Sequence, residues 1–395
     1  MTAARPLAEE LAAMKSWLVE QALPFWSSAG FDRSTLLFEE RVDFSGRPIH
    51  ASPRRLMAQC RQIYVFSHAT LLGWFDGRAL VEQALPSLLR AYGGRSSASP
   101  YVFSITRHGA VADPRQDAYA YAFLLLALAW ARKLLGRQVD RKIADDLIDH
   151  LRIELSHASG EGFIDGLPRP DAHLRQNPQM HLFEAFLAAD EAFPGAQALS
   201  LSHDLYRLFH VRLFDSQRRA LPERHDDRWR AVEGSDATFE PGHHFEWIWL
   251  LDRYAARSGA RVEGLIAALA ERAYAEGVDQ DGAVIEAVAL EGSSRIESRR
   301  CWGACEGLKA AASDFENGRE PGLAMERAGR FMRALRTLFL SGPFAGGWID
   351  RIDAQGKPLV AYVPSTTLYH IFLAVAEADR VFGGGRPGDG AVKSR

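Results

Sequence analysis

Two segments of the chain place a histidine three residues before a glutamate: His181 with Glu184, and His243 with Glu246. Residues three apart share one face of a helix, so each carboxylate can orient the imidazole through a hydrogen bond. Both pairs stand at helix starts, where the helix dipole disfavours the imidazolium and the carboxylate favours it. Such a histidine can exchange protons near neutral pH. A satisfied structural hydrogen bond is the alternative interpretation of each pair.

Three further segments carry side chains suited to sugar chemistry. Arg55 and Gln59 share a helix face, where they could bind a polyhydroxylated ligand or, alternatively, backbone carbonyls and an ion-pair partner. Trp302 and Glu306 place a carboxylate one turn from an aromatic ring, a combination that commonly holds sugars. A core tryptophan beside a surface glutamate has the same spacing. His370, far along the chain, opens the last predicted helix.

Hydrophobic periodicity predicts the helices that must position these side chains. Helical patterns cover 7–22, 54–75, 78–92, 117–135, 139–157, 178–192, 196–214, 243–257, 261–277, 300–316, 321–340 and 365–382. Their centres recur about every 30 residues, as in stacked helical hairpins. Asn177 is placed to cap the helix that carries His181.

The predicted helices are of two kinds. Residues 121–130 are apolar nearly all round, whereas 141–154 alternate charged and apolar residues. A ring of buried helices inside a ring of amphipathic helices accommodates both kinds. The sequence therefore predicts an all-α fold, an (α/α)6 barrel, as a single domain over residues 1–382 with a flexible tail at 383–395.

Turn-rich segments connect the predicted helices at 38–48, 160–170, 222–241 and 342–364. The last of these has the pattern of a hairpin at 348–357. Segments of this kind should gather over one end of the barrel as short β-hairpins and build a pocket there.

Composition excludes several classes of function. The 395 residues carry a net charge of -3, so no overall positive field attracts nucleic acid or an anionic membrane. No stretch is expected to be long and apolar enough to span a membrane, and the N-terminus lacks the pattern of a signal peptide. The three cysteines, Cys60, Cys301 and Cys305, favour a reducing, cytoplasmic location and ordinary packing roles. Phosphate-binding loops, zinc motifs and the α/β-hydrolase elbow are absent from the sequence.

Taken in order, the motifs resemble those of the N-acylglucosamine 2-epimerase superfamily, in its mannose isomerase and sulfoquinovose isomerase-like branch. The resemblance runs from about Arg55 to His370. It rests on R-x-x-x-Q-x-R at 55–61, D-x-Y at 117–119, N-P-x-M-H-L-x-E at 177–184, P-G-H-x-x-E-W at 241–247, W-x-x-x-E at 302–306 and the S-T-T-L-Y-H segment at 365–370. Gly303 and Ala304 depart from the commoner family pattern, which leaves the sugar contacts at that wall open.

The resemblance implies an (α/α)6 barrel and assigns roles by position. His243 and His370 would be the acid/base histidines, Glu246 and Glu306 their carboxylate supports, and Arg55 the group that polarises the carbonyl. The implied sugar-binding residues are Gln59, Tyr119, Asn177, His181, Glu184 and Trp302. No metal and no cofactor are expected.

The activity that this resemblance implies is interconversion of D-mannose and D-fructose through a cis-enediol(ate). A 2-epimerase, a glycoside hydrolase on a similar barrel, and a non-catalytic sugar- or protein-binding barrel stay as alternatives. The expected partner is a monosaccharide, without nucleic acid or membrane, and a homodimer is left open. A phosphorylated substrate is disfavoured, because only Arg299 and Arg300 form an obvious basic cluster in the sequence.

Overall fold

The computed structural model describes residues 4–96, 99–195, 197–234, 237–292 and 294–383. Its α-helices are α1 (Ala4–Trp17), α2 (Leu23–Ser28), α3 (Leu56–Leu71), α4 (Arg78–Tyr92), α5 (Ala118–Leu135), α6 (Arg141–Glu154), α7 (Gln176–Ala192), α8 (Ala198–Leu208), α9 (Pro241–Ser258), α10 (Glu263–Gly277), α11 (Cys301–Glu316), α12 (Pro321–Ala334) and α13 (Leu368–Phe382). A π-helical turn joins α1 to α2. Within the described ranges the helices therefore form twelve segments, and the predicted (α/α)6 barrel is confirmed.

Six helices form a closed inner ring. Each of α3, α5, α7, α9 and α11 packs against the next inner helix, and α13 packs back against α3. The outer helices α4, α6, α8, α10 and α12 cover α3, α5, α7, α9 and α11 in turn, and α1 packs on α12 and α13. The two rings thus alternate along the chain, as the two kinds of sequence pattern predicted.

Helix α5 shows why the inner helices are apolar on all sides. The stretch Ala118–Gln138 is long and apolar enough to cross a membrane, contrary to expectation, but 78% of its most apolar window is buried inside the structure. Neighbouring helices α3 and α7 cover it. Within the described part of the chain it is the one helix with this property, and its burial is that of a core helix.

Short strands gather in the connections between helices. They are β1 (Phe31–Asp32), β2 (Leu37–Phe38), β3 (Arg41–Asp43), β4 (Arg54–Arg55), β5 (Gly93–Ser96), β6 (Ser99–Tyr101), β7 (Ser104–Ile105), β8 (Val111–Asp113), β9 (Gln116–Asp117), β10 (Gly166–Leu167), β11 (Leu174–Arg175), β12 (Arg224–His225), β13 (Thr238–Phe239), β14 (Ile285–Ala289), β15 (Arg295–Arg300), β16 (Arg351–Ile352) and β17 (Tyr362–Pro364). The largest sheet has the order β13-β14-β15-β16, and β17 pairs with β3. The hairpin predicted near 348–357 forms around β16, where the Asp353 N–H donates to the Lys357 carbonyl.

The strands determine which end of each inner helix faces the loops. Strands β4, β9, β11 and β15 run directly into α3, α5, α7 and α11, while β13 and β17 lie just before α9 and α13. All six inner helices therefore begin at the same end of the barrel. Their positive dipole ends and first-turn side chains converge there, and this end is called the mouth below.

A continuous apolar core runs through the ring, from Leu7 to Ala378. This continuity supports the single domain expected over 1–382, which stays a prediction. The flexible tail expected at 383–395 lies, apart from Gly383, outside the described residues.

Candidate active site at the mouth of the barrel

His370 stands in the first turn of α13 and is hydrogen-bonded to a buried carboxylate. Its Nδ1 lies 2.7 Å from Oε1 of Glu306 on α11. The other oxygen of Glu306 lies 2.5 Å from Nζ of Lys309, and both of these side chains are completely buried. When Nδ1–H donates to the carboxylate, Nε2 of His370 keeps its lone pair and can accept a proton.

Burial lowers the pKa of His370 well below its usual value, and the positive charges of Arg61 and Lys309 lower it further. This histidine is therefore neutral at pH 7. Burial also disfavours the ammonium of Lys309, but the negative charge of Glu306, together with that of Glu184, outweighs that effect and raises the pKa of Lys309. The positively charged side chain of Lys309 thus lies behind the neutral imidazole of His370, with Glu306 between them. Lys309 was not among the predicted site residues, although a lysine three residues after Glu306 in an otherwise apolar helix is a usable signal.

His243 has a different carboxylate partner from the one expected. Its Nδ1 lies 2.9 Å from Oε1 of Glu223, in the loop before β12, and 3.8 Å from Oε2 of Glu240. Glu223 is held in turn by the Gln176 amide, at 3.1 Å. The assignment of Glu246 as the support of His243 is therefore wrong, because residues three apart need not contact when a nearer loop carboxylate takes the donor. No spacing signal in the sequence links 223 to 243.

The two carboxylates change the protonation state of His243. Burial lowers the pKa of this histidine, but the negative charges of Glu223 and Glu240 outweigh burial and raise its pKa to about 10. At pH 7 His243 is an imidazolium. The two acid/base candidates therefore differ in charge, with His370 neutral and His243 positive.

Glu246 has oxygens within 4.8 Å of ligand atoms of His370 and Glu306, and also of His181 and Glu184. Both carboxyl oxygens are buried and have no hydrogen-bond partner among the described residues. Burial, together with the negative charge of Glu306, raises the pKa of Glu246 to about 8. This side chain is therefore a neutral acid at pH 7 and can donate a hydrogen bond.

Three clusters of imidazole and carboxylate bring their ligand atoms within 4.8 Å of one another in the described part of the chain: His181, Glu184 and Glu246; Glu223, Glu240 and His243; and Glu246, Glu306 and His370. Such donor sets could hold a metal ion. In the second cluster the protonated His243 offers no lone pair, and in the third Lys309 already supplies a positive charge. The expectation of a metal-free site stays a prediction.

The helical spacing correctly predicted the contact between His181 and Glu184. Nδ1 of His181 lies 3.2 Å from Oε2 of Glu184, and the Tyr369 hydroxyl donates to the other oxygen. Burial lowers the pKa of His181 to about 4, so its ring is neutral. The ring packs edge-on against Tyr119 at a centroid distance of 5.0 Å.

Trp302 brings the two catalytic candidates together. Its ring centroid lies 4.9 Å from that of His243 and 5.7 Å from that of His370. Gly242 permits this approach, because a Cβ there would lie 2.6 Å from the indole. The glycine of the P-G-H motif therefore has a steric reason. The tryptophan is not a plain core residue, since it lies in contact with both imidazoles.

Two arginines of the α3 region, Arg61 and Arg55, also lie at the mouth. Arg61 on α3 donates to the Tyr119 hydroxyl at 2.7 Å and to the Thr366 carbonyl at 3.2 Å. Arg55, just before α3, donates to Glu40 at 2.6 Å and is partly exposed. Arg61 belonged to the sequence motif but was not assigned to the site. Its charge acts on His370, and its partner Tyr119 packs on His181.

Gln59 does not face the sugar cavity. Its amide oxygen accepts from the Phe38 N–H at 2.7 Å and its amide nitrogen donates to the Phe38 carbonyl at 2.8 Å, and the side chain is fully buried. The expectation that Gln59 binds substrate is wrong, because both of its polar atoms are used by β2. The alternative of backbone bonding is confirmed for this residue.

Replacing Gln59 by alanine should destabilise the protein without changing substrate affinity. The substitution leaves a buried N–H and a buried carbonyl of Phe38 unpaired, which is expected to cost about 2–4 kcal/mol of unfolding free energy. Urea denaturation measures that loss, and KM for the sugar should stay within about twofold. A large rise in KM with unchanged stability would contradict the structural role.

Asn177 is not the helix cap. Helix α7 begins at Gln176 and its cap position is Arg175, so Asn177 lies inside the first turn. Its Oδ1 is buried and has no partner among the described residues. Asn177 lines a mouth cavity of about 300 Å³ together with Tyr119 and Arg55. The residue is therefore placed to contact a ligand at the mouth.

The described part of the mouth also holds a larger cavity, of about 580 Å³, which shares Arg55, Met57, Phe103 and Tyr119 with the smaller one. A hexose fits within these volumes. The fold and the mouth together define a class: an α/α barrel that carries two differently charged histidines, a tryptophan and carboxylates at the end where two cavities of sugar size lie.

Comparison with known proteins agrees with that class. The sequence model of the family N-acylglucosamine 2-epimerase (GlcNAc 2-epimerase) matches residues 37–374. A mannose-6-phosphate isomerase of Rhizobium meliloti (strain 1021) is 33% identical over 377 residues, covering 93% of this chain and 96% of the relative. A D-mannose isomerase of Thermobifida fusca is 28% identical over 297 residues, covering 69% and 71%. Among solved structures, cellobiose 2-epimerase from Bacillus thermoamylovorans B4167 has a TM-score of 0.84 at 17% identity, covering 94% of this chain and 99% of the other, a likeness of fold.

The chain belongs to the N-acylglucosamine 2-epimerase family. It is an enzyme of the isomerase class, an aldose–ketose isomerase. The resemblance read from the sequence motifs is thereby confirmed.

Proposed function

We propose that this enzyme interconverts D-mannose and D-fructose without a cofactor, through a cis-enediol(ate) and histidine acid/base chemistry. One observation carries the proposal: a neutral His370 and a protonated His243 lie against the same indole. His370 as a base and His243 as an acid can thus act on the same small ligand. The names of the two relatives, which both act on mannose or its phosphate, support this sugar.

His243 is the group we assign to ring opening. Its imidazolium can give a proton to the ring oxygen while the C1 hydroxyl loses one, which frees the aldehyde. Glu223 keeps the imidazole charged until the sugar is bound. An acid beside the ring oxygen lowers the barrier, because the leaving oxygen does not have to carry a negative charge.

His370 is the group we assign to the reacting carbons. Nε2 removes the C2 proton, the C–H electron pair forms the C1=C2 bond, and the aldehyde oxygen takes the negative charge. The proton then returns from Nε2 to C1, while the O2 proton moves to O1, which leaves the ketone at C2 and a hydroxyl at C1. Glu306 orients the ring and stabilises the imidazolium that forms.

The negative oxygen of the enediolate needs nearby positive charge. Arg61 and Arg55 line the mouth, and the N-termini of six inner helices point there. We assign charge stabilisation to Arg61 together with Arg55, the residue that the resemblance implied. Sugar contacts are assigned to Tyr119, Asn177, His181, Glu184 and Trp302, and a hydrogen bond from the neutral Glu246 acid is assigned to a sugar hydroxyl.

Product analysis in D2O tests the proposal. With D-mannose as substrate we expect fructose carrying deuterium at C1, detected by NMR. Glucose with deuterium at C2 would instead show a 2-epimerase, for which the fold likeness to cellobiose 2-epimerase is the supporting observation. No exchange with any hexose would favour a binding barrel. Cytoplasmic location and a homodimer are part of the proposal and are tested by fractionation and by light scattering.

Replacing Glu223 by glutamine should narrow the range of alkaline pH at which the enzyme works. His243 must be protonated to donate, and its pKa of about 10 keeps it so. Without the Glu223 charge, burial dominates and the pKa falls, so kcat/KM should decline at a lower pH than in the wild type. The pH profile of kcat/KM between pH 6 and 10 measures this change. Glu240→Gln is the control, with a smaller shift expected because its carboxylate is 3.8 Å away.

A further inference from the structure

The larger mouth cavity, of about 580 Å³, is lined by an excess of positive side chains. Its charged lining residues are Arg41, Arg55, Arg61, Arg300, Glu40 and Asp350. Four guanidinium groups thus face two carboxylates. The tertiary structure assembles this group from four separate segments of the chain, so it was not visible as a cluster in the sequence.

The two carboxylates do not neutralise all four arginines. Glu40 pairs with Arg55, and Asp350 lies 3.8 Å from Arg300 while also accepting a hydrogen bond from Thr367. The remaining two, Arg41 and Arg61, have no carboxylate within ion-pair distance among the described residues, and Nε of each is buried without a hydrogen-bond partner. Unpaired buried donors of this kind are costly unless a ligand accepts from them.

The excess of two positive charges matches one kind of ligand group. A phosphate monoester carries a charge of about -1.5 to -2 at pH 7 and offers three strong acceptor oxygens. One guanidinium group can bind two such oxygens at once, through two parallel N–H donors. The positive ends of the inner helices, which begin at the same mouth, add to the attraction. A neutral sugar would leave this charge unused.

The position of the cavity determines where on the sugar the phosphate must be. No histidine lines the cavity, and Arg61 connects it to Tyr119 and to the Thr366 carbonyl at the start of the His370 helix. The reacting carbons C1 and C2 must lie at the histidines. A phosphate on O1 would prevent ring opening, so the ester has to be at the far end of the chain.

We propose that Arg41 and Arg300 form a phosphate subsite that selects hexose 6-phosphates over free hexoses, next to Arg61, which is assigned to the enediolate. This inference rests on the proposed function, because it uses the same pocket. It reverses the expectation that a phosphorylated substrate is disfavoured. Of the two neighbouring arginines, Arg299 forms a salt bridge with Asp279 at 2.6 Å, and only Arg300 lines the cavity.

Calorimetric titration with D-mannitol and D-mannitol 6-phosphate tests the subsite without turnover, because these open-chain alcohols cannot isomerise. The phosphate ester should bind at least tenfold more tightly. Arg41→Gln and Arg300→Gln should each lower that preference by about tenfold. Arg207→Gln on outer helix α8, where the side chain is 63% exposed, removes the same charge far from the mouth and should not change the preference.

Kinetics with mannose and mannose 6-phosphate separate the two proposals. A higher kcat/KM for the phosphate, lost in Arg41→Gln and Arg300→Gln, supports the subsite. Equal binding of the two alcohols, or a preference that both variants retain, would overturn the subsite while leaving the isomerase proposal intact. Tight binding of mannitol 6-phosphate without isomerisation of either sugar would overturn the proposed function and support the subsite.

Discussion

Replacing His370 by asparagine should lower kcat by about 10³- to 10⁴-fold, the range expected for loss of a positioned general base. His370 is the neutral imidazole of the site, with Nδ1 held by Glu306 at 2.7 Å. Asparagine keeps a polar side chain of moderate size but cannot accept the C2 proton. Deuterium exchange at C2 of mannose should be lost together with turnover. Near-native exchange in this variant would show that another group is the base.

The control for this experiment is another histidine of the inner ring, which is partly buried. His68 lies near the opposite end of α3, where its ring centroid is 4.0 Å from that of Trp130. His68→Asn removes a partly buried imidazole by the same substitution, and turnover of the folded enzyme should stay within a few fold. Circular dichroism and thermal unfolding should confirm that both variants fold. A matched loss in His68→Asn would indicate a structural effect instead of a chemical one.

Replacing His243 by alanine should also abolish turnover of mannose, but for a different reason. The variant lacks the acid assigned to ring opening, so its defect should be small with glyceraldehyde, which cannot close a ring. Deuterium exchange at C2 of glyceraldehyde measures the remaining proton transfer. An equal loss with both substrates would show that His243 acts at the reacting carbons.

Replacing Lys309 by methionine should lower the free energy of unfolding by about 3–5 kcal/mol at pH 7, the usual cost of breaking a buried ion pair. The ammonium is completely buried, 2.5 Å from Glu306, and its attraction to Glu184 also keeps it charged. Without it, the negative charge of Glu306 would be unpaired in the core. Urea denaturation measures the loss, which should shrink at acidic pH as the carboxylates become protonated.

Two further variants identify the cause of that loss. Lys309→Met combined with Glu306→Gln removes both charges and should recover much of the lost stability. Lys142→Met removes an exposed lysine paired with Asp146 and should change stability by less than 1 kcal/mol. Equal stability of the single variant Lys309→Met and the wild type would show that the buried carboxylates are protonated without Lys309.

The parts of this protein that the sequence determined are local. The periodicity of apolar residues placed twelve helices correctly, and helical spacing correctly placed His181 against Glu184. Motif order along the chain was enough to identify the family. These features depend on residues a few positions apart, where the geometry of one helix decides which side chains meet.

Partner choice across the mouth was decided by the tertiary structure. His243 is hydrogen-bonded to Glu223 and not to Glu246. Gln59 is hydrogen-bonded to Phe38 of β2 and is not free to bind substrate. The arginines of the proposed phosphate subsite come from positions 41 and 300, which no sequence spacing relates. Loops and distant helices bring these groups together, and a charged or polar side chain pairs with whichever partner is nearest once burial removes water as the alternative.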